Sequence, residues 1–159
     1  MSLRKDTTKQ ISEALGHFLN PKMDSRVYTA SEVTFRGIGD HKIRVDFMKF
    51  VPDDISAGGI EQGKFYCYEI KSCKEDYNSG HGLNCIGDMN YLVTTLEFAQ
   101  ELVELTKWTK WGVYVCHSNG TLECIKKAKK TIRKCPAAEM LLAMFRSSNR
   151  ELLKYRESY

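Results

Sequence analysis

Residues 65–77 read FYCYEIKSCKEDY. Phe65, Tyr66, Tyr68 and Ile70 ask for a core, yet Glu69 and Lys71 stand two residues apart in the same short run. β-formers in close succession predict a strand over 64–71. Residues two apart on a strand share a face. A carboxylate and an ammonium are therefore expected side by side among apolar neighbours. Burying such a pair costs solvation free energy. Either the strand lies at a sheet edge with the pair in water, or the charges belong to a site. The apolar flanks favour a site.

Upstream, SEVTF (31–35) and KIRVDFMKF (42–50) read as two further strands around RGIGDH (36–41), a Gly-containing turn. Asp46 interrupts the second of them. Strands adjacent in sequence tend to pair, so the Asp46 strand is expected antiparallel to 64–71. Alternation puts Arg44, Asp46 and Met48 on one face, and Cys67, Glu69 and Lys71 on one face of the next strand. A register with Asp46 opposite Glu69 brings two carboxylates together. They repel, and burial sharpens the repulsion. A divalent cation with oxygen ligands relieves it, and Mg²⁺ is held by one or two carboxylates plus water and substrate phosphate. Beside it, Lys71 would stabilise charge developing on a phosphate and orient a water.

The rest of the chain supplies the frame. TTKQISEALGHFL (7–19) carries Ile11, Leu15, Phe18 and Leu19 at helical spacing. VPDDISAGGIEQG (51–63) is polar and Gly-rich, and its length predicts a connection that projects from the body. KEDYNSGHGLNCIGDM (74–89) is a second such stretch, and NYLVTT (90–95) a short strand. In TLEFAQELVELTKW (95–108), Thr95 is the expected cap, with Leu96, Phe98, Ala99, Leu102, Val103 and Leu105 as core positions. Trp108 and Trp111 are expected to pack on the sheet. WGVYVCH and TLECIKK flank Ser118-Asn119-Gly120, a strong hairpin signal. A final helix over 136–157 presents Met140, Leu141, Met144, Phe145, Leu152 and Tyr155 as its apolar stripe. The order is helix, three strands, helix, two strands, helix, an α/β pattern on a mixed sheet.

A chain of 159 residues predicts a single domain over 1–159, with a core about 7–130. Hydrophobic residues at 42% and aromatics at 11% exclude a disordered chain. The net charge of +4 is compatible with a polyanionic partner. No apolar run reaches the ~18 residues of a membrane span, and MSLRKDTTKQ has no apolar signal region, so a cytoplasmic protein without membrane contact is expected. The six cysteines include no C-x-x-C pair and are read as reduced thiols. A redox or zinc protein built on them lacks the spacing.

An Asp followed 23 positions on by Glu-x-Lys, after an initial helix, resembles the PD-(D/E)xK nuclease superfamily. More closely, the chain resembles the MmcB-like group of bacterial DNA-repair proteins. SEVTF resembles its Glu-bearing strand, RVDFM its Arg-x-Asp strand, and YEIKSCKEDY its VEIKSSxxDF stretch. GDMNYLVTT resembles the strand that follows, and WGVYVCHSNGTLECIKKAKK its closing hairpin, so the likeness runs from about 30 to 130. The motif's Pro is Val45 here. Where the group carries an Asp-Arg-Lys-Trp-like run, this chain has SGHGLN, with His81 the basic residue.

The resemblance implies a restriction-endonuclease-like mixed β-sheet core flanked by helices. It implies Mg²⁺ or Mn²⁺ held by Asp46, Glu69 and the carbonyl of Ile70, with Lys71 as catalytic lysine and Glu32 as upstream acid. Asp76, Ser72 and His81 would be accessory. The activity implied is divalent-metal-dependent hydrolysis of DNA phosphodiesters, in repair or mobile-element processing. Lys126, Lys127, Lys129 and Lys130, in KKAKKTIRK, are candidate phosphate contacts.

Each residue also has an ordinary role. Glu69 and Lys71 would serve as a surface pair on an edge strand, Asp46 and Glu32 as solvent-facing acids, Asp76 as a turn former, His81 as a solvated loop residue, and the lysine run as a solvated face. The alternative function is a nuclease-fold module that binds nucleic acid or protein with little or no catalysis.

Overall fold

The computed structural model describes residues 3–36 and 41–159. It begins with α1 (Leu3–Leu19), a turn longer than the spacing from Thr7 predicts. Then come β1 (Tyr28–Phe35), β2 (Ile43–Val51), the short helix α2 (Ala57–Glu61), β3 (Lys64–Ile70) and the short helix α3 (Lys74–Asn78). β4 (Met89–Thr95), α4 (Leu96–Leu105), β5 (Gly112–Cys116), β6 (Leu122–Lys126) and α5 (Ala137–Glu157) complete the chain. The turn expected at RGIGDH falls mostly on 37–40, outside the described residues.

The strands form one six-stranded open sheet in sequence order. β1, β2 and β3 pair antiparallel, β3, β4 and β5 pair parallel, and β6 returns antiparallel to β5. The molecule is thus α/β, with a mixed sheet flanked by helices. On one face, Met140, Ala143 and Met144 of α5 join the core of Val33, Val45, Met48 and Phe65. On the other, Ile11, Leu15 and Leu19 of α1 join that of Tyr68, Ile70 and Val93. β3 lies between β2 and β4 and under both layers. Glu69 and Lys71 are therefore no edge-strand pair.

Several expectations are corrected. The 51–63 connection is exposed over 53–58, but its second half is folded and tied to the body. Ser56 Oγ accepts from Gly59 N–H to cap α2, Ile60 packs against the α5-side core, and Arg133 donates to the Glu61 carbonyl at 2.6 Å. In α4, Thr95 caps as expected, its Oγ1 accepting from Phe98 N–H, and Phe98, Ala99 and Leu102 are buried. Leu96 is exposed because it sits in the first turn, about 200° around the helix from Phe98. Leu105 is also exposed, and its neighbour Thr106 takes the buried place, Oγ1 donating to Leu102 O at 2.8 Å. Trp111 packs as expected, but Trp108 is 91% exposed, with Lys107 Nζ 5.5 Å from its ring centre.

In α5, Met140 and Met144 are buried, whereas Phe145, Leu152 and Tyr155 are exposed. Ser147, whose hydroxyl donates to Ser31 O, is the last buried residue before the helix runs past the sheet. All six thiols are free. Among the described residues, no helix is long and apolar enough to cross a membrane.

Candidate active site

The β2–β3 ladder pairs Phe47 with Tyr68. One step further along that register, Asp46 stands opposite Glu69, the arrangement that would bring the carboxylates together. The ladder does not continue as plain sheet. Asp46 Oδ2 instead accepts from the Ile70 N–H at 2.9 Å. In extended backbone a residue's N–H and C=O face the same neighbouring strand. The Ile70 carbonyl therefore lies on the Asp46 side.

The expected grouping of Arg44, Asp46 and Met48 on one face is overturned. Val45 and Met48, three residues apart, both enter the α5-side core, as do Ala30 and Val33 on β1. Alternation thus slips on both strands at the same level. Ser31 pairs with Phe47 and Val33 with Val45, while the pair between them, Glu32 and Asp46, is left out of the ladder. Glu32 takes a left-handed φ of 50° there. Such an irregularity re-aims side chains, and here it frees Asp46 to reach the backbone of β3.

Glu69 is 8% exposed and its Oε2 has no hydrogen-bond partner. It borders a void of ≈ 10 Å³ shared with Gly82, Asn84 and Trp111. Burial, then the charge of Asp46, pushes its carboxyl up to about 8. Lys71 pulls the other way and loses. Asp46 is also raised, chiefly by burial, against its bond from Ile70 and the charge of Arg44. Burial raises both acids, and Asp46 raises Glu69 further, so a positive charge between them would be favoured. With the Ile70 carbonyl, they suit Mg²⁺ or Mn²⁺, which complete their shell with water and phosphate. Among the described residues, no three or more His, Cys, Asp or Glu side chains are grouped as a metal site. The donors that these residues could offer a cation are two carboxylates and a backbone oxygen.

Lys71 is 2% exposed, and its Nζ lies 3.7 Å from Glu69 Oε1 and 3.9 Å from Asp76 Oδ1. It also donates to the His81 carbonyl. Its own carbonyl accepts from Thr94 Oγ1 at 2.6 Å, which fixes the strand end. Asp76 joins the cluster through α3. Its Oδ2 accepts from Ser72 N–H at 3.2 Å, and its Oδ1 pairs with Arg4 of α1 at 3.0 Å. Ser72 Oγ is buried without a partner.

Asp46, Glu69, Ile70, Lys71, Ser72 and Asp76 thus come together. His81 contributes its backbone carbonyl rather than its ring. Glu32 lines a separate cleft with Arg36, Arg44 and Arg146. Of the basic run, Lys126 donates to the carbonyls of Thr106 and Trp111 at 2.6 and 2.5 Å, while Lys127, Lys129 and Lys130 are exposed.

Two contributors have no signal in the motif, and a third has one only as the Arg of the Arg-x-Asp strand. Gly82, at φ 77°, lies against the Glu69 carboxylate. Arg4 arrives from the first turn of α1. Arg44 acts on both acids from an exposed position. A Gly in a polar loop and an arginine in the first turn of α1 look ordinary until the chain is folded.

No family model, no curated protein and no solved structure matches this chain.

Proposed function

We propose that the chain is a Mg²⁺- or Mn²⁺-dependent DNA nuclease on a restriction-endonuclease-like PD-(D/E)xK core, acting in DNA repair or mobile-element processing. The observation that carries this is the convergence of Asp46 and Glu69 at one end of an interior strand, both carboxyls raised, with the Lys71 ammonium 3.7 Å from Glu69. A bound divalent ion would neutralise phosphate charge and lower the pKa of water. Asp46 and Glu69, with the Ile70 carbonyl, would hold it.

Hydrolysis forms a bond from water oxygen to phosphorus and breaks the bond to the leaving ester oxygen. Lys71 donates hydrogen bonds to the attacking water or a phosphate oxygen, and Asp76 with Glu69 sets its position. Gly82 leaves room for the Glu69 carboxylate. The test is cleavage of single-stranded, double-stranded and branched DNA in Mg²⁺, Mn²⁺ or EDTA, beside Lys71→Ala and Asp46→Asn. Metal-dependent cleavage that disappears in both variants is expected. Full cleavage by both removes the site assignment.

One observation favours a binding module without catalysis: Lys71 is almost wholly buried and donates to a backbone carbonyl. No cleavage of any substrate, with salt-dependent DNA binding retained, would establish that reading instead.

A further inference from the structure

A second concentration of charge lies next to the carboxylates and away from the lysine run. A cleft of ≈ 620 Å³ is lined by Arg36, Lys42, Arg44, Arg146 and Arg150, with Glu32 as its acid. The cations come from three segments: Arg44 from β2, Arg36 and Lys42 from the chain between β1 and β2, and Arg146 and Arg150 from α5. None of the ion pairs among the described residues uses Arg36, Lys42, Arg44 or Arg146, and all four are exposed. Arg150 is held in place, its Nη2 donating to Glu32 O at 2.8 Å and to Ser147 Oγ at 3.4 Å.

Gathering like charges around one concave surface opposes folding, and nothing in the packing of this sheet requires it. Guanidinium forks match phosphate oxygens two at a time. The lysine run is a poorer candidate. Lys126 is engaged by two carbonyls, Arg133 lies 3.5 Å from Asp88, and Lys134 donates to Asn84 O. Glu32 of the cleft stands opposite Asp46 in the β1–β2 register, and the charge of Arg44 acts on both Asp46 and Glu69.

We propose that this cleft grips the phosphate backbone of the nucleic acid beside the phosphate to be cleaved. The choice of nucleic acid as occupant rests on the hydrolytic reading above; the anion-binding geometry does not. For every phosphate that the protein ceases to neutralise, the slope of log affinity against log salt falls by about 0.9 on duplex DNA and about 0.7 on single strands.

The experiment is binding of fluorescein-labelled duplex and single-stranded DNA to the full chain in EDTA, across a salt series. The Arg36→Ala/Lys42→Ala/Arg146→Ala variant leaves Arg44 and both carboxylates in place. It is expected to bind at least ~10-fold more weakly, with a duplex slope lower by roughly 2–3. Arg36→Lys/Arg146→Lys should keep the slope, and so separates an effect of charge from an effect of misfolding. Lys127→Ala/Lys129→Ala/Lys130→Ala should change the slope by much less. An unchanged slope in the cleft variant, or no DNA binding by the wild-type chain, overturns the proposal. Because binding is read without metal, the two readings part cleanly. Cleft-dependent binding without cleavage by the wild-type chain in Mg²⁺ or Mn²⁺ sustains the cleft and sinks the hydrolysis. Cleavage with cleft-independent binding does the reverse.

Discussion

Gly82 stands directly against the carboxylate of Glu69. A Cβ at position 82 would lie 1.8 Å from Glu69 Oε1 and 2.2 Å from its Cδ. Gly82 also has φ +77°, where an L side chain costs about 1–2 kcal/mol. The atom that must give way is the tip of a side chain, so Gly82→Ala should displace the carboxylate rather than unfold the chain. The expected outcome is a Tm lower by a few degrees and cleavage reduced at least ~10-fold. Wild-type cleavage by Gly82→Ala would show that the carboxylate's present position is not required.

Removing the ammonium tests its chemistry apart from its packing. Lys71→Met keeps most of the buried stem and removes the charge between Glu69 and Asp76. Cleavage should fall at least ~100-fold while circular dichroism is unchanged, because general-acid and electrostatic contributions of one positioned group are on the order of 10²–10³. Retained cleavage would assign Lys71 to structure alone.

The raised Glu69 carboxyl sets a pH dependence. Its folded pKa is about 8 against an ordinary 4.5. A raised acid contributes stability that is complete below its unfolded pKa and is lost as pH climbs through the folded value. Metal-free wild-type protein should therefore lose stability relative to Glu69→Gln between about pH 4.5 and 8, and the difference should level off above that. Urea unfolding of both proteins in EDTA, from pH 5 to 9, reads it directly. A wild-type chain that gains on the variant as pH rises contradicts the assignment.

A cation would relieve the same repulsion. Adding Mg²⁺ or Mn²⁺ at pH 8 should raise the wild-type Tm, by the equivalent of about 2.7 kcal/mol at a hundred times Kd. Asp46→Asn and Glu69→Gln should show little or none of this. An equal rise in all three would place the ion elsewhere.

On α5, burial separates residues that helical spacing treats alike. Met140→Ala should cost about 2–5 kcal/mol in urea unfolding, since Met140 is fully buried. Phe145→Ala should be within about 0.5 kcal/mol of wild type, since Phe145 is 64% exposed. Comparable losses would mean that the Phe145 side is covered in solution.

That contrast also marks what a linear chain discloses. The strand at 64–70, the Thr95 cap and the Asn119-Gly120 turn rest on local periods and turn chemistry, and the antiparallel pairing of β2 with β3 rests on their adjacency in the chain. The slip at Glu32 and Asp46 rests on neither. It arises because two strands must fill one α5-side core through Ala30, Val33, Val45 and Met48, a constraint that exists only once α5 has docked. Gly82 meets Glu69 across thirteen positions, and Arg4 meets Asp76 across seventy-two. No local pattern carries such distances. Trp108 and Phe145 look like core because hydrophobicity reports a preference, whereas the extent of the sheet decides which of them it can cover.

The strand bearing Glu69 and Lys71 has a partner on each side, antiparallel β2 and parallel β4. Edge strands can fray while the rest of a domain stays intact; this one has no solvent side from which to peel. Its backbone amides should exchange with deuterium only through global opening. The two charges should thus sit in the slowest-exchanging part of the molecule. A substitution that loosens them should be felt by the whole domain.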